Sequence, residues 1–552
     1  MRIQKIIICA IVAACFSAGA CAFAAASTSV KQYEFTWTFD KPVQTGQFVN
    51  GDWWVVPPAG QDSVTVVSVD PAPVKSPDGK LMNGSMVNPM PGFQAFDERA
   101  YLWKGECGAT YPLKLQVNQS LASAVAETDD NEDGKKRISA HYYVKGVAVL
   151  TCLGKPPLPT DFRPPYVGND KPLYDSAKMR RDLLPNLPLP ASVKAADLSS
   201  PKDLADVWFS RPWVDFLQIW CGFQSRGRHE IGYGREKASM VGGAGLYLCL
   251  DSKVVGDKEP LLIDLVQTGI DLYGTVSSGG HWISDGGWQQ GRKFPILFAG
   301  LMLDDKGMLN IGQKYPPTTN TFQEDTAAFI VTKADVGRQL ACMVSGPAKT
   351  ATANTIGLSG VGFPNGTAMT GNWIKIVNGP GAGQVRLIAN SDTGWPRTNK
   401  VIVTCVVDPP WDVVPEVEKS VYQVLGYQEK DIGHGKYGGN HWRSAESAIN
   451  DNPSFQQPYS QANKSSWSAE VLAARILGLK AAWNQDAVFQ VIDDYVAETA
   501  PGAPFANKTG GCPRFWPAGQ GPKAVINQQF ISEMWNTYRS KYGDAPKEDA
   551  KK

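Results

Sequence analysis

Between Ser27 and Gly154 apolar side chains recur at every second position. YEFTWTF alternates around Phe35, Trp37 and Phe39, GDWWVV and SVTVVSV follow between turn residues, and HYYVKGVAVLTC closes the run. A period of two places successive side chains on opposite faces of a strand, so residues 26–155 predict an antiparallel, β-sandwich-like domain. Proline then dominates through PPLPTDFRPPY and LLPNLPLP, which predicts an extended linker over 156–200 lying on the surface. From about residue 201 the interval lengthens to three and four in DLADVWFSRPWVDFLQIWCGF, SMVGGAGLYLCLD and EPLLIDLVQTGIDLYG, and a further helix is expected from Pro295 to Leu303. At Thr332 the period returns to two through GNWIKIVNGPGAGQVRLIA, VIVTCVV and SVYQVLGY, a small β module over 332–428 in which GPGAGQ reads as a hairpin turn. Helices resume over 429–543 with the amphipathic WSAEVLAARILGL, with NQDAVFQVIDDYVAET capped by Asn484, and with NQQFISEMWNTYRSKYG; the polar tail 544–552 is expected to be disordered. The chain thus reads as a multidomain α+β protein with one helical part, 201–331 and 429–543, split by a β module.

The N-terminus changes where this protein works. Arg2 and Lys5 precede the apolar run IIICAIVAACF, and Ala22-Phe23-Ala24 has the small-residue spacing of a signal-peptidase site, so residues 1–25 read as a signal peptide and the protein as secreted or periplasmic. A lipid anchor at Cys21 is the weaker alternative, because the usual upstream Leu is missing. No later run is long enough to span a membrane. The formal net charge is +1, with no field of one sign to draw the chain to nucleic acid. Seventeen Trp and eighteen Tyr beside 54 Gly and 39 Pro suit a loop-rich secreted protein with aromatic platforms for sugars. Seven cysteines lie beyond the leader, none with metal-ligand spacing, and export makes disulfides the default. Neighbour pairing would join Cys107 with Cys152, Cys221 with Cys249 and Cys342 with Cys405; the sequence does not fix this connectivity.

The stretch from Tyr273 to Asp305 carries the densest candidate chemistry. Six glycines between Gly274 and Gly291 allow close backbone approach to a ligand, and His281, Trp282, Trp288 and Arg292 add a titratable group, flat apolar faces and a cation at the entry to a helix. A second glycine-rich loop repeats that composition with His434, Tyr437, Asn440, His441, Trp442 and Arg443, and GRHEIGYGRE adds His229 as a third wall. These side chains suit β-elimination from a uronic-acid polysaccharide. Arg292, Asn440 or Arg443 would neutralise the sugar carboxylate, while Tyr437, His281 or His441 would take the adjacent proton. A hydrolase would instead use a pair of carboxyl groups, for which Glu324 or Asp325 in FQEDTAAF, working with Asp285 or Asp431, are the candidates. No cofactor motif occurs, no metal ligands are assigned, and a structural divalent cation is left open.

With those residues in view, FVNGDWWVV with NGSMVNP, GRKFPILFAGLML, FQEDTAAF and WSAEVLAARILGLKAAWNQDAVFQVIDDY resemble stretches of exported bacterial proteins akin to the α/α-toroid polysaccharide lyases and glycosidases. The resemblance implies a β-rich front domain, a helical toroid and a carbohydrate-active role. The expected function is degradation of a uronic-acid polysaccharide by β-elimination. The alternatives are a glycoside hydrolase using paired carboxylates and a non-catalytic surface protein that binds carbohydrate.

Overall fold

The computed structural model describes residues 25–75, 79–91, 94–95, 106–126, 128–130, 136–138, 144–214, 234–282, 289–319, 321–326, 345–358, 373–391, 402–425, 429, 457–499, 526 and 528–543. It is a mixed α+β chain built in several parts. The front part is one mainly antiparallel sheet: β1 (Ala25–Gln32), β2 (Phe35–Gln47), β3 (Trp53–Val56), β4 (Ser63–Asp70), β5 (Ser85–Val87), β6 (Leu113–Gln116), β7 (Gln119–Ala126) and β8 (Val144–Cys152). The strand order is β6-β4-β2-β3-β8-β7-β5, with β1 along the other edge of β2 and β8 parallel to β3. The long β2 pairs with β4 through Thr36–Phe39 and with β3 through Gln44–Gln47, so its two ends have different partners. Phe35, Trp37, Phe39, Val64, Val66, Leu115, Leu121 and Leu150 fill the enclosed core, as the period of two predicts. Within it the Trp37 indole donates to Ser123 Oγ at 3.0 Å, which satisfies its one polar atom.

Most of the proline-rich segment is exposed or half-buried, but part of it is not surface linker. Residues 161–168 are buried, and Phe162, Tyr166 and Val167 pack against the front sheet or the helices. One arginine in this segment bonds to both neighbouring parts. Arg163 is fully buried and its guanidinium bridges Asp52, just before β3, to Asp271 in the helical part: Nε lies 2.5 Å from Asp52 Oδ2, while Nη1 and Nη2 lie 2.8 and 2.5 Å from the Asp271 oxygens. Proline lowers the conformational cost of threading chain through such a seam, and the bidentate fork supplies the directional bonds.

The helical part contains α1 (Gly234–Leu248), α2 (Glu259–Ser277) and α3 (Lys293–Leu303). The helical stretch expected from Asp203 to Phe223 is interrupted at residues 210–214, and residues 215–223 lie outside the described residues. Pro201–Leu204 is helical, Ala205–Phe209 is a wider π turn, and regular structure ends at Ser210, because Pro212 disfavours helix at the residue before it. Conversely α2 runs to Ser277, so Tyr273–Ser277, expected to open the glycine-rich loop, is helix. The β module is a seven-stranded antiparallel sheet of β9 (Ser345–Pro347), β10 (Thr350–Thr352), β11 (Thr355–Leu358), β12 (Trp373–Asn378), β13 (Val385–Ser391), β14 (Val403–Asp408) and β15 (Val421–Leu425), ordered β9-β15-β12-β13-β14-β11-β10. It has its own core of Ile356, Ile374, Ile376, Ile388, Val407 and Tyr422, and GPGAGQ forms the β12–β13 turn.

Three helices follow: α4 (Gln457–Ile476), α5 (Asp486–Thr499) and α6 (Gln528–Tyr538). Asn484 does not cap α5. It closes the short turn Lys480–Trp483 in the left-handed region at φ 57°, and its amide donates to Gly312 O at 2.9 Å. The strongest helix contacts are α1 on α4, α2 on α3 and α4 on α5, all sharing one apolar core. Gly242 makes the first of these possible, since a Cβ there would stand 2.2 Å from the backbone nitrogen of Glu470. No closed ring of helices is shown by the described residues. Of the expected disulfides, Cys152 is a free buried thiol rather than a partner of Cys107; Cys249 and Cys405 are also buried, and their expected partners Cys221 and Cys342 lie outside the described residues.

Candidate functional site

The described part of the glycine-rich loop divides His281 from Trp282. His281 is exposed, its Nδ1 3.5 Å from Gly279 O, whereas Trp282 is fully buried, stacks on Phe322 at 5.6 Å and donates its backbone N–H to Thr321 O. A buried Trp on this face serves the core, so Trp282 is not an open sugar platform. Trp288, His229, His434, Tyr437, Asn440, His441, Trp442 and Arg443 lie outside the described residues.

Arg292 and Glu324 do come together, inside the helical core. The chain entering α3 passes through Gln289, Gln290, Gly291, Arg292 and Lys293, all beside the helical turn Gln323–Thr326. Gln289 N–H donates to Gln323 Oε1 at 2.9 Å, Gly291 N–H donates to Glu324 Oε1 at 2.7 Å, and Lys293 Nζ reaches both Asp325 oxygens at 2.7 and 2.6 Å. Adjacent acids thus take separate partners. Gly291 is required here twice over: its φ is 82°, and a Cβ would lie 2.7 Å from Ala238 N on α1. Arg292 caps α3 without a side-chain bond to the helix. Its guanidinium carbon sits 5.7 Å from the Trp213 ring centroid, and Lys237 Nζ lies 4.5 Å from the same ring.

The residue missing from the sequence reading is Glu470. On α4 it follows Ser466 by one turn on the same face, and Ser466 Oγ lies 2.6 Å from Gln290 Oε1, so that face meets the α3 entry. Residues 466–477 are buried without a break, so the amphipathic reading of this helix placed its polar stripe in solvent when it lies in the core. Among the described residues neither Glu470 carboxyl oxygen has a hydrogen-bond partner, nor has Glu324 Oε2. A Glu between Ala469 and Val471 on an Ala- and Leu-rich helix was the available signal.

The two glutamic acids differ in their surroundings. Burial raises the Glu324 pKa, opposed by the Gly291 amide and by the Lys293 and Arg292 charges. Glu470 is pushed well above the usual carboxyl range by burial and then by the Glu324 charge, with only Arg292 acting against it. Burial also raises Asp325 and lowers Lys293, their mutual attraction working the other way. The chemical content is a carboxyl that gives up its proton first, Glu324, facing one that keeps it, Glu470, in the field of a fixed cation. Among the described residues no cluster of three or more metal-ligating side chains occurs, and no helix is long and apolar enough to cross a membrane.

A separate polar seam surrounds Arg163. Its cleft, lined by Asp52, Arg163, Arg211, Trp213, Gln267 and Asp271 among others, has about 10 Å³ of room, enough for one water and too little for a sugar ring. Trp213 borders this cleft and also carries Arg292 and Lys237 against its ring, so it links the seam to the glutamate cluster. Comparison with family models, with curated proteins and with solved structures returns no match.

Proposed function

We propose that this chain is an exported enzyme that cleaves a polysaccharide, and that its reacting groups are Glu324 and Glu470. The observation that carries the reading is the pair itself: two buried carboxyls, near enough for one charge to raise the other, with three of their four oxygens unbonded and Arg292 beside both. Glycoside hydrolysis needs one carboxyl that donates a proton to the leaving oxygen and one that acts as carboxylate toward the sugar or a water. Glu470, without any bond favouring its charged form, suits the acid. Glu324, held by the Gly291 amide and faced by Arg292 and Lys293, suits the carboxylate. The expected α/α-toroid, with its divisions at residues 155, 200, 331 and 428, belongs to the same proposal, as does export by the leader.

The pair favours hydrolysis over the elimination expected from the histidine-rich loops. His281 is exposed whereas Arg292 is buried, and the remaining acid–base candidates are outside the described residues. The deciding experiment incubates the mature chain with acidic and neutral polysaccharides while reducing ends and ultraviolet absorbance are followed together. Reducing ends without absorbance, lost about 100-fold or more in Glu324→Gln and Glu470→Gln, are expected. Absorbance rising with reducing ends would replace hydrolysis by elimination. Full activity in both variants would remove the pair from the chemistry, and binding without turnover would leave a carbohydrate-binding protein.

A further inference from the structure

The entry to α3 holds a lysine and an aspartate that the proposed sugar chemistry leaves unused. Lys293 Nζ lies 2.7 and 2.6 Å from the two Asp325 carboxyl oxygens, and the two side chains are 0% and 1% exposed. The other lysine ion pairs among the described residues leave the lysine at least 25% exposed, so water keeps those amines charged. Around Lys293 the walls are aromatic. The Phe322 and Trp483 ring centroids stand 5.5 and 5.8 Å from Nζ, and both residues are fully buried. The backbone holds both partners in place: Lys293 is the first residue of α3, while Asp325 donates its N–H to Phe322 O at 3.1 Å and its carbonyl accepts from Gln485 Nε2 at 3.1 Å.

We infer that Lys293 and Asp325 are the site of an intramolecular amide cross-link, formed between their side chains with loss of one water. Neutral Lys293 Nζ attacks Cγ of the protonated Asp325 carboxyl. The Nζ–Cγ bond forms, the Cγ–Oδ bond breaks, and the departing hydroxyl takes a proton from the nitrogen to leave as water. Nothing is oxidised or reduced. Contact with both oxygens holds Nζ close to the carbon they share, and well-oriented groups at roughly 3–3.5 Å react as one molecule. Burial pushes Asp325 up to about 7 and lowers Lys293, which brings the neutral acid–amine form of the pair within reach near neutral pH. An ion pair in an apolar core leaves two charges desolvated, whereas the amide carries none. Glu324 acts electrostatically on both partners, and its Oε2 has no hydrogen-bond partner among the described residues, so it carries the proton from the nitrogen to the hydroxyl. The cross-link stands apart from the proposed sugar cleavage, because Glu324 keeps the Gly291 amide and Arg292 once the lysine charge is gone.

The test is mass spectrometry of the mature chain, reduced and unfolded, beside Lys293→Arg, Asp325→Ala and Glu324→Gln. The wild type is expected to be about 18 Da lighter than its sequence, the mass of one water. Trypsin should release residues 293–306 joined to residues 315–333 as one branched peptide, since an acylated lysine is not cleaved. Lys293→Arg and Asp325→Ala should show their full sequence masses, and Glu324→Gln should be mostly unlinked. A wild type of full sequence mass, yielding separate peptides that begin at Phe294 and at Tyr315, would overturn the cross-link. Wild-type linkage in Glu324→Gln would overturn the role given to Glu324. The decisive reading is made on the wild type, so it survives misfolding of any variant. A linked chain that cleaves no glycan would sink the enzymatic reading alone, whereas an unlinked chain that cleaves one would sink this inference alone.

Discussion

Replacing Arg163 by methionine tests whether the front sheet and the helices are one cooperative unit. Arg163 donates two bonds to Asp271 and one to Asp52, both acids having side chains at most 8% exposed, and a fourth to Pro164 O at 2.9 Å. Methionine keeps much of the stem and removes the charge, leaving two carboxylates facing each other across the seam. Asp52 would retain Gln32 and Asn50 as donors, and Asp271 would lose the cation that is hydrogen-bonded to both of its oxygens. Removing one partner of a buried ion pair typically costs about 3–5 kcal/mol, because the remaining charge stays desolvated. The loss falls on the joint between parts that each have their own core. Urea unfolding followed by tryptophan fluorescence and by far-ultraviolet dichroism is therefore expected to change from coincident to separated transitions, the first at clearly lower urea. Combining Arg163→Met with Asp52→Asn and Asp271→Asn should recover much of the loss, since no unpaired charge then remains. If the single variant unfolds within about 1 kcal/mol of the wild type and its two probes still coincide, the triad is not what joins the two parts.

Three further outcomes follow from the same core. Glu470→Gln should raise stability at pH 7 by about 0.5–2 kcal/mol even as it abolishes the proposed activity. The sign is fixed by the raised folded pKa. Above the unfolded glutamate value of roughly 4.3 the native state holds a proton that the unfolded state has released, so wild-type stability falls as pH rises, and the advantage of the variant should shrink toward zero near pH 4 in urea titrations. Gly242→Ala pushes a Cβ to 2.2 Å from the Glu470 backbone nitrogen, so α1 and α4 must part; a loss of about 2 kcal/mol or more in thermal melts is expected, and an unchanged melt would show that this crossing is not tight. Cys152, buried with its thiol pushed up to about 12, should resist alkylation in the native protein and take one label in urea without reductant, whereas no label there would mean that it is held in a disulfide.

The regular architecture was legible because it rests on periodicity. Alternation over Phe35–Phe39 and Ser63–Val69 follows from strands with one face in a core, and the glycine turn of GPGAGQ is a local preference that tertiary context did not override. What stayed illegible depends on pairs distant in sequence. Arg163 ties residues 161–168 of the proline-rich stretch into a seam between two parts, yet nothing near it announces Asp52, 111 residues before it, or Asp271, 108 after. The helix expected through Trp208 and Trp213 failed for a local reason that was readable, the Arg211-Pro212 step. Glu324 and Arg292 were singled out on composition and do meet, whereas His281, chosen on the same grounds, is exposed.

Glu470 shows why the missing half of the candidate site was hidden. An amphipathic helix is read by assuming that its polar stripe faces water, since charges in a core are costly. On α4 the stripe of Ser466, Ser468, Glu470 and Arg475 is buried instead, with exposures of 0%, 6%, 0% and 5%. Arg475 is compensated by Asp493 at 2.7 Å, and Ser466 by Gln290, so those two are explained by structure alone. Glu470 has no such bond, and the α1 helix presses its backbone through a glycine at the one place where a larger residue would have moved it away. A folded chain with only a few kcal/mol to spare keeps such a group when something other than stability selects it. That asymmetry along α4, between Ser466 and Arg475, which repay burial with bonds, and Glu470, which does not, is the physical ground on which the proposed hydrolysis gives the acid role to Glu470 rather than to the more conspicuous histidines.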